Sequence, residues 1–188
     1  MIEQLLQFDT ELFLYLNGLG VDAWDGFWMF YTTKFYWAPL YAFLLFHIYK
    51  LIGKRAFITS VVVIALMVLF TDQVTNLFKH GFKRFRPCHQ EGVLEVMRLV
   101  KEHCGGQYGY FSGHSSNSMA VAIFSGLMLK PRFKYLVYIL FAWSLAMGYS
   151  RIYIGVHYPL DVFCGLIFGG FSGYLFYRIN QKAIKKFA

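Results

Sequence analysis

The sequence predicts an all-α membrane protein: a polytopic bundle of about five to six transmembrane helices, preceded by an N-terminal amphipathic interfacial helix. Of its 188 residues, 57% are hydrophobic and only 15% are charged, whereas soluble proteins carry about 25% charged residues. The aromatic share is 21%, and many of these rings fall near the ends of apolar runs, as membrane interfaces favour. The length suits a single domain over residues 1–188.

The first segment, MIEQLLQFDTELFLYLNG, is predicted to form an amphipathic helix. Leu5, Phe8, Leu12 and Leu16 recur on one helical face. A helix of this kind lies in the membrane interface and does not cross the bilayer. The segment holds three acidic residues and no basic region, so we do not expect a cleavable signal peptide.

Five apolar runs are long enough, or nearly so, to cross the bilayer as helices, which takes about 20 residues. They cover about 35–51, 56–78, 114–129, 133–150 and 158–178. A bent lead-in over 22–33 leaves a sixth crossing open, which would move the N-terminus but not the candidate site. The stretch 79–113 is polar and is predicted to form a loop outside the bilayer.

The basic residues predict the orientation of the bundle. One side collects ten of them in short loops and the C-terminal tail, and the positive-inside tendency makes that side cytoplasmic. They are Lys50, Lys54, Arg55, Lys130, Arg132, Lys134, Arg178, Lys182, Lys185 and Lys186. The C-terminus is then cytoplasmic, and the 79–113 loop faces the periplasm or exterior of a bacterial-type inner (plasma) membrane. These loops account for most of the net charge of +8, so nucleic-acid binding is not expected.

Three polar clusters carry the candidate chemistry, and the predicted topology brings all of them to the outer membrane face. They are KHGFKRFRP at 79–87, FSGH at 111–114, and Ser150-Arg151 followed by His157 and Asp161. Residues far apart in sequence are thus predicted to meet on one surface, which indicates a functional site.

The first part of this set suits the binding of a phosphoryl group. Lys79, Arg86 and Arg151 supply cations, and the arginine fork matches phosphate oxygens. Ser112 and Gly113 precede a predicted helix, where free backbone N–H groups favour an anion. Because a phosphoryl transition state spreads negative charge over its oxygens, such a pocket favours phosphoryl transfer.

The histidines of the second and third clusters can supply a nucleophile and an acid. His157 and Asp161, four residues apart, can share a helix face. A carboxylate that holds one imidazole nitrogen makes the other more nucleophilic. His114 then remains to protonate the leaving oxygen.

At these residues the sequence resembles the type 2 phosphatidic acid phosphatase superfamily, which also includes vanadium haloperoxidases and bacterial acid phosphatases. The family signature is Lys-x6-Arg-Pro, then Pro-Ser-Gly-His, then Ser-Arg-x5-His-x3-Asp. The first and third motifs match in spacing over 79–87 and 150–161, and the second departs by Phe111 in place of proline. The resemblance implies a phosphohistidine intermediate on His157, a general acid at His114, and no metal or other cofactor. It also implies phosphate binding by Lys79, Arg86, Ser112, Gly113 and Arg151.

The resemblance further implies an integral membrane phosphatase whose substrate is a phospholipid or polyprenyl phosphate. Undecaprenyl diphosphate, phosphatidylglycerophosphate, phosphatidic acid and a lipid A phosphate are all candidates, and no obligate protein partner is expected. Two alternatives stay open. A membrane phosphotransferase would share the same intermediate, whereas an anion or lipid transporter would not need the two histidines and the aspartate.

Two cysteines fall in the polar loop, Cys88 and Cys104. Outside the cytoplasm nearby cysteines tend to be oxidised, so a disulfide is predicted, with two free thiols as the alternative. A structural zinc ion is not expected, because the histidines and cysteines of this region lack the usual paired spacing of zinc ligands.

Two patterns within the apolar runs concern packing and charge. Gly165, Gly169 and Gly173 recur every four residues, which predicts close approach of a neighbouring helix. Asp72 lies two helical turns before Lys79 on about the same face, and acids within membranes are usually paired. Whether Asp72 orients a cation of the site is therefore open.

Overall fold

The computed structural model describes residues 1–187, which form helices joined by loops. The helices are α1 (Ile2–Gly18), α2 (Asp22–Thr32), α3 (Ala38–Phe82), α4 (Gly113–Leu129), α5 (Leu136–Tyr153) and α6 (Pro159–Phe187). Short 3-10 helices cover Lys34–Trp37 and Pro87–His89. Within the described residues there is no strand, only an isolated bridge between Phe85 and Tyr108. The predicted all-α class is confirmed.

The first two predicted crossings form one element, α3, which turns sharply at Gly53. A continuous helix of 45 residues would measure about 67 Å, more than twice the thickness of the bilayer core. Gly53 has φ 77° and ψ 174°, a conformation that suits glycine. Leu44, before the turn, and Met67, after it, belong to one core cluster. Both arms of α3 therefore contribute to one core, and they correspond to the predicted runs 35–51 and 56–78.

Three helical stretches are long and apolar enough to cross a membrane: Lys34–Phe82, α5 and α6. The predicted run 114–129 is α4, whose 17 residues measure about 25 Å. The bent lead-in is α2, whose 11 residues measure about 16 Å, which is too short to cross a core of about 30 Å. The total number of crossings stays a prediction.

Helix α4 lies centrally and packs against α3, α5 and α6. Its contact with α6 is unusually close because small residues face each other. A Cβ atom added at Gly165 would lie 2.6 Å from the carbonyl oxygen of Ser112, and one at Gly173 would lie 2.5 Å from that of Ala120. The prediction that these glycines allow close helix packing is confirmed.

Helix α1 packs on the protein through a different face from the one its apolar residues mark. Asp9, Phe13 and Asn17 are buried, whereas Leu5 and Phe8 are exposed. The side-chain amide of Asn17 donates to two carbonyl groups at the C-terminal end of α5. At Leu5 and Phe8 the apolar face is thus left for surroundings other than the protein, which suits the predicted position in the membrane interface. Leu16 and a partly polar face pack on the bundle.

Candidate active site

The chain segment that follows α3 is held by the facing stretch of the same loop. The N–H of Arg86 donates to the carbonyl of Gln107 at 3.1 Å, and the N–H of Gly109 donates to the carbonyl of Arg84 at 2.9 Å. These two hydrogen bonds fix the backbone at Arg84 and Arg86. The guanidinium of Arg86 also donates to two main-chain carbonyls of the loop, each at 3.2 Å. The loop thus fixes two arginines beside the start of α6.

The predicted histidine–aspartate pair is present at the turn between α5 and α6. Nδ1 of His157 lies 3.4 Å from Oδ2 of Asp161, and both side chains are buried. The same carboxylate oxygen accepts the N–H of Tyr158 at 3.1 Å, and Oδ1 accepts from Arg84 at 2.9 Å. Because Nδ1 faces the carboxylate, Nε2 is the nitrogen of His157 that is free to react.

The surroundings of His157 favour its neutral form. Burial lowers the pKa of this imidazole well below its ordinary value, and the positive charges of Arg86, Arg151 and Lys79 lower it further. A neutral imidazole keeps the lone pair that a nucleophile needs.

A cavity of about 650 Å³ connects the motif residues. Six predicted site residues line it: Lys79, Arg86, Gly113, His114, Arg151 and His157. Away from these residues the wall is mainly apolar, with Leu44, Met67 and Phe124 among its side chains. One cavity therefore offers cations and histidines at one end and a hydrocarbon-like surface at the other.

The N-terminus of α4 forms part of this site. Ser112 caps the helix by accepting from the N–H of Ser115 at 3.4 Å, and its own N–H donates to the carbonyl of Asp161 at 2.9 Å. A Cβ added at Gly113 would lie 3.8 Å from Nζ of Lys79, so the ammonium group sits beside the free N–H groups of the first turn. This combination favours an anion. Among the described residues, Ser112 and Asp161 are fully buried and lie behind the cavity wall.

Arg151 is buried with unused hydrogen-bonding capacity. Its Nη1 donates to the hydroxyl of Thr32 at 2.5 Å, while within residues 1–187 its Nε has no partner. A buried N–H without an acceptor costs free energy. A phosphate oxygen in the cavity would supply that acceptor.

Three residues to which the sequence assigned no individual role also belong to this region: Arg84, Asp9 and Gly109. Arg84 bridges Asp161 and Asp9 of α1, with its nitrogen atoms 2.9 Å and 2.5 Å from the two carboxylates. The backbone at Gly109 passes over the pair, because a Cβ there would lie 3.0 Å from Oδ2 of Asp161. One sequence signal could have marked the face of α1 that docks on the bundle. Asp9 and Asn17 are polar and lie eight residues apart, which places them on one helical face.

Asp72 has a neutral partner in the described part of the chain. It lines the cavity, and its Oδ1 accepts from the side-chain amide of Asn117 at 2.7 Å. Within residues 1–187 no ion pair joins Asp72 to a cation of the site.

The loop cysteines face each other as predicted. The Cα atoms of Cys88 and Cys104 are 6.0 Å apart, within the range of disulfides, and the structure joins their sulfur atoms. Oxidation in the cell stays a prediction.

Within residues 1–187, no group of three or more histidine, cysteine, aspartate or glutamate side chains is arranged to hold a metal ion.

Comparison with known proteins agrees with this geometry. The sequence model of the PAP2 superfamily matches residues 60–185. The lipid A 4'-phosphatase of Bacteroides thetaiotaomicron is 37% identical over 184 residues, which are 97% of this chain and 81% of that protein. The lipid A 4'-phosphatase of Porphyromonas gingivalis is 36% identical over 187 residues, covering 97% of this chain and 77% of that one. The crystal structure of a transmembrane PAP2-type phosphatidylglycerolphosphate phosphatase from Bacillus subtilis has the same fold, with a TM-score of 0.74, 16% identity, and coverage of 95% of this chain and 87% of the other.

A helical membrane bundle that gathers the three motifs around one cavity defines a membrane-bound lipid phosphatase, and the predicted class of enzyme is confirmed. The chain belongs to the PAP2 superfamily, whose model covers more than half of it. The roles of individual site residues stay predictions.

Proposed function

We propose that this protein hydrolyses the 4'-phosphate of lipid A through a phosphohistidine intermediate and without a metal ion. The observation that carries the proposal is the cavity that joins a cationic, histidine-bearing end to an apolar end. A phosphorylated lipid has the matching distribution of charge and hydrocarbon. The choice of lipid A among lipid phosphates is supported by the two relatives that are 37% and 36% identical over 97% of the chain.

In the first step the phosphate is bound and the lipid is released. Lys79, Arg86 and Arg151 hold the phosphate oxygens, together with the free N–H groups at the start of α4. Nε2 of His157 attacks phosphorus and forms an N–P bond, while the bond from phosphorus to the lipid oxygen breaks. His114 gives its proton to that oxygen, so the lipid leaves as a neutral alcohol.

In the second step water completes the hydrolysis. His114, now neutral, takes a proton from a water molecule as the water oxygen bonds to phosphorus. The N–P bond breaks, inorganic phosphate leaves, and both histidines return to their starting states. Throughout the cycle Asp161 holds Nδ1 of His157 and stabilises the positive charge that develops on the ring.

We further infer that the protein lies in a bacterial-type inner (plasma) membrane, with the site facing the periplasm or exterior and the C-terminus in the cytoplasm. Support comes from the distribution of basic residues. Ten of the 18 basic residues cluster at the Gly53 turn, between α4 and α5, and in the last turns of α6. The contact of Asn180 with Ser60 and Met128 gathers these regions at one end of the bundle, opposite the site.

Phosphate release by purified protein in detergent tests the proposal. The substrates are lipid A, undecaprenyl diphosphate, phosphatidylglycerophosphate and phosphatidic acid at equal detergent-to-lipid ratios. We expect the highest kcat/KM for lipid A, with mass spectrometry showing loss of the 4'-phosphate. A higher kcat/KM for another lipid would refute the substrate. Transfer of phosphate to a lipid acceptor without release of inorganic phosphate would instead identify a phosphotransferase.

A further inference from the structure

The interfacial helix α1 reaches the reacting groups through one buried carboxylate. Asp9 is 4% exposed. Its Oδ1 accepts the N–H of Leu160 at 2.8 Å, and its Oδ2 pairs with Nη2 of Arg84 at 2.5 Å. The carboxylate therefore touches the first turn of α6 and an arginine of the loop at the same time.

Arg84 continues this chain of contacts to the catalytic aspartate. Its Nη1 donates to Oδ1 of Asp161 at 2.9 Å, and its guanidinium lies 4.3 Å from the ring centroid of Tyr158. The side chain is 17% exposed. Within residues 1–187, the side chains that line the cavity do not include Arg84. Its position is thus behind the reacting groups, where it cannot bind the phosphate.

Both oxygens of Asp161 are consequently occupied by fixed donors. Oδ1 is bound by Arg84, and Oδ2 faces His157 at 3.4 Å and Tyr158 N–H at 3.1 Å. A carboxylate bound at both oxygens cannot rotate freely, and charge-assisted bonds from a planar guanidinium set its plane. The direction of the imidazole depends on that plane.

We propose that Asp9 and Arg84 are positioning residues that orient Asp161, and through it His157. The inference rests on the proposed reaction, in which His157 is the nucleophile. Asp9 acts through Arg84, and Arg84 acts through Asp161. Neither contacts the substrate.

An alternative role for Asp9 is simply to tether α1 to the bundle, and Asn17 provides a matched control for it. Asn17 is also buried in the α1 contact, where it binds the end of α5 and accepts the N–H of Arg98 at 2.8 Å. It does not contact Arg84 in the described structure. Asn17→Ala therefore loosens the docking of α1 without touching the chain of contacts to Asp161.

The variants Asp9→Asn, Arg84→Met, their combination and Asn17→Ala are compared with the wild type for kcat, KM and thermal unfolding. Asp9→Asn keeps an oxygen to accept from Leu160 and removes only the charge. We expect kcat to fall about tenfold in Asp9→Asn, as for the loss of a charge-assisted hydrogen bond. We expect a fall of about 100-fold in Arg84→Met, as for a small misplacement of a reacting group.

Three further readouts separate positioning from a general loss of structure. KM should change less than about twofold, because phosphate contacts remain. The combined variant should be no slower than Arg84→Met alone, since Asp9 acts only through Arg84. Arg84→Lys should restore part of the kcat lost in Arg84→Met, because its ammonium can still pair with Asp161. Asn17→Ala should lower the unfolding temperature and leave kcat within about twofold of the wild type.

The inference is overturned if Asp9→Asn turns over like the wild type, if the two losses add in the combined variant, or if Asn17→Ala loses as much kcat as Asp9→Asn. Should Arg84→Met fail to fold, Asp9→Asn and Asn17→Ala decide the question together. The ratio of each variant's kcat to that of the wild type is measured with p-nitrophenyl phosphate as well as with lipid A. A wild type active only on the former refutes the proposed substrate, while the variant ratios still decide the positioning role.

Discussion

The close contact between α4 and α6 can be tested by one added methyl group. Gly169 is buried against Ser116 of α4. A Cβ at this position would overlap the carbonyl oxygen of Ser116 and lie 2.9 Å from both its Cα and its carbonyl carbon. The next residue, Gly170, is the matched control, since a Cβ there would meet only Cγ of Met119, at 3.7 Å.

The size of the effect follows from these distances. Carbon atoms in contact prefer about 3.5–4.0 Å, so Gly169→Ala must separate the two helices locally by roughly 0.5–1 Å. Overpacking of this kind costs about 1–3 kcal/mol of folding free energy. Because α4 carries His114 and α6 carries Asp161, the shift also separates reacting groups, and a misplacement near 1 Å can lower turnover about 100-fold.

Thermal unfolding in one detergent and phosphate release at saturating substrate are the two assays. We expect Gly169→Ala to lower both the unfolding temperature and kcat. Gly170→Ala should match the wild type or unfold slightly higher, because alanine is favoured over glycine in a helix by up to about 1 kcal/mol. Equal unfolding temperatures and equal turnover for the two variants would show that the helices are not in the contact described.

Four further predictions concern the site and its loop. Replacing His157 or His114 by alanine should lower kcat by at least the roughly 10²–10⁴-fold of a lost acid–base group. The His157 variant should also form no phosphoenzyme in a rapid-quench experiment, and near-native turnover in it would end the proposed mechanism. Because burial and neighbouring cations lower the pKa of His157, its neutral form persists to lower pH, and log(kcat/KM) should fall on the acid side only below the ordinary value of about 6.5. An acid limb centred above that value would contradict the assignment. Treatment with EDTA should leave phosphate release unchanged, while vanadate should inhibit competitively; activity lost to EDTA and restored by magnesium or zinc would refute metal independence. In intact cells, a membrane-impermeant maleimide should label Cys88 and Cys104 only after reduction. Labelling without a reductant would disprove the disulfide, and no labelling after reduction would contradict the outward-facing loop.

The sequence was sufficient for the parts of the site that depend on fixed spacing. His157 and Asp161 are four residues apart at the start of one helix, so local geometry alone brings them together. One further assumption was needed to predict that Lys79, Arg86 and Arg151 meet: that the predicted crossings place their segments at one membrane face. The cavity shared by these cations agrees with that assumption.

The sequence was insufficient where a contact depends on how an amphipathic helix is rotated. The apolar residues of α1 predicted a helix in the membrane interface, but they did not indicate which of its other residues dock on the bundle. The face that docks on the bundle carries Asp9, 75 residues away from Arg84. No local spacing connects these two residues, so their pairing with Asp161 became visible only in the folded chain.

The two-ended cavity bears on how the reaction finishes. Its products prefer different solvents, because inorganic phosphate is a hydrated anion and the dephosphorylated lipid keeps its hydrocarbon chains. We therefore expect phosphate to leave past Lys79 and Arg86 toward water, and the lipid to leave along the apolar wall formed by residues such as Phe124. We expect the spent lipid to compete with substrate for this apolar wall until the surrounding bilayer dilutes it. In a small detergent micelle, which offers almost no such dilution, product inhibition should be stronger than in a vesicle of the same total lipid content.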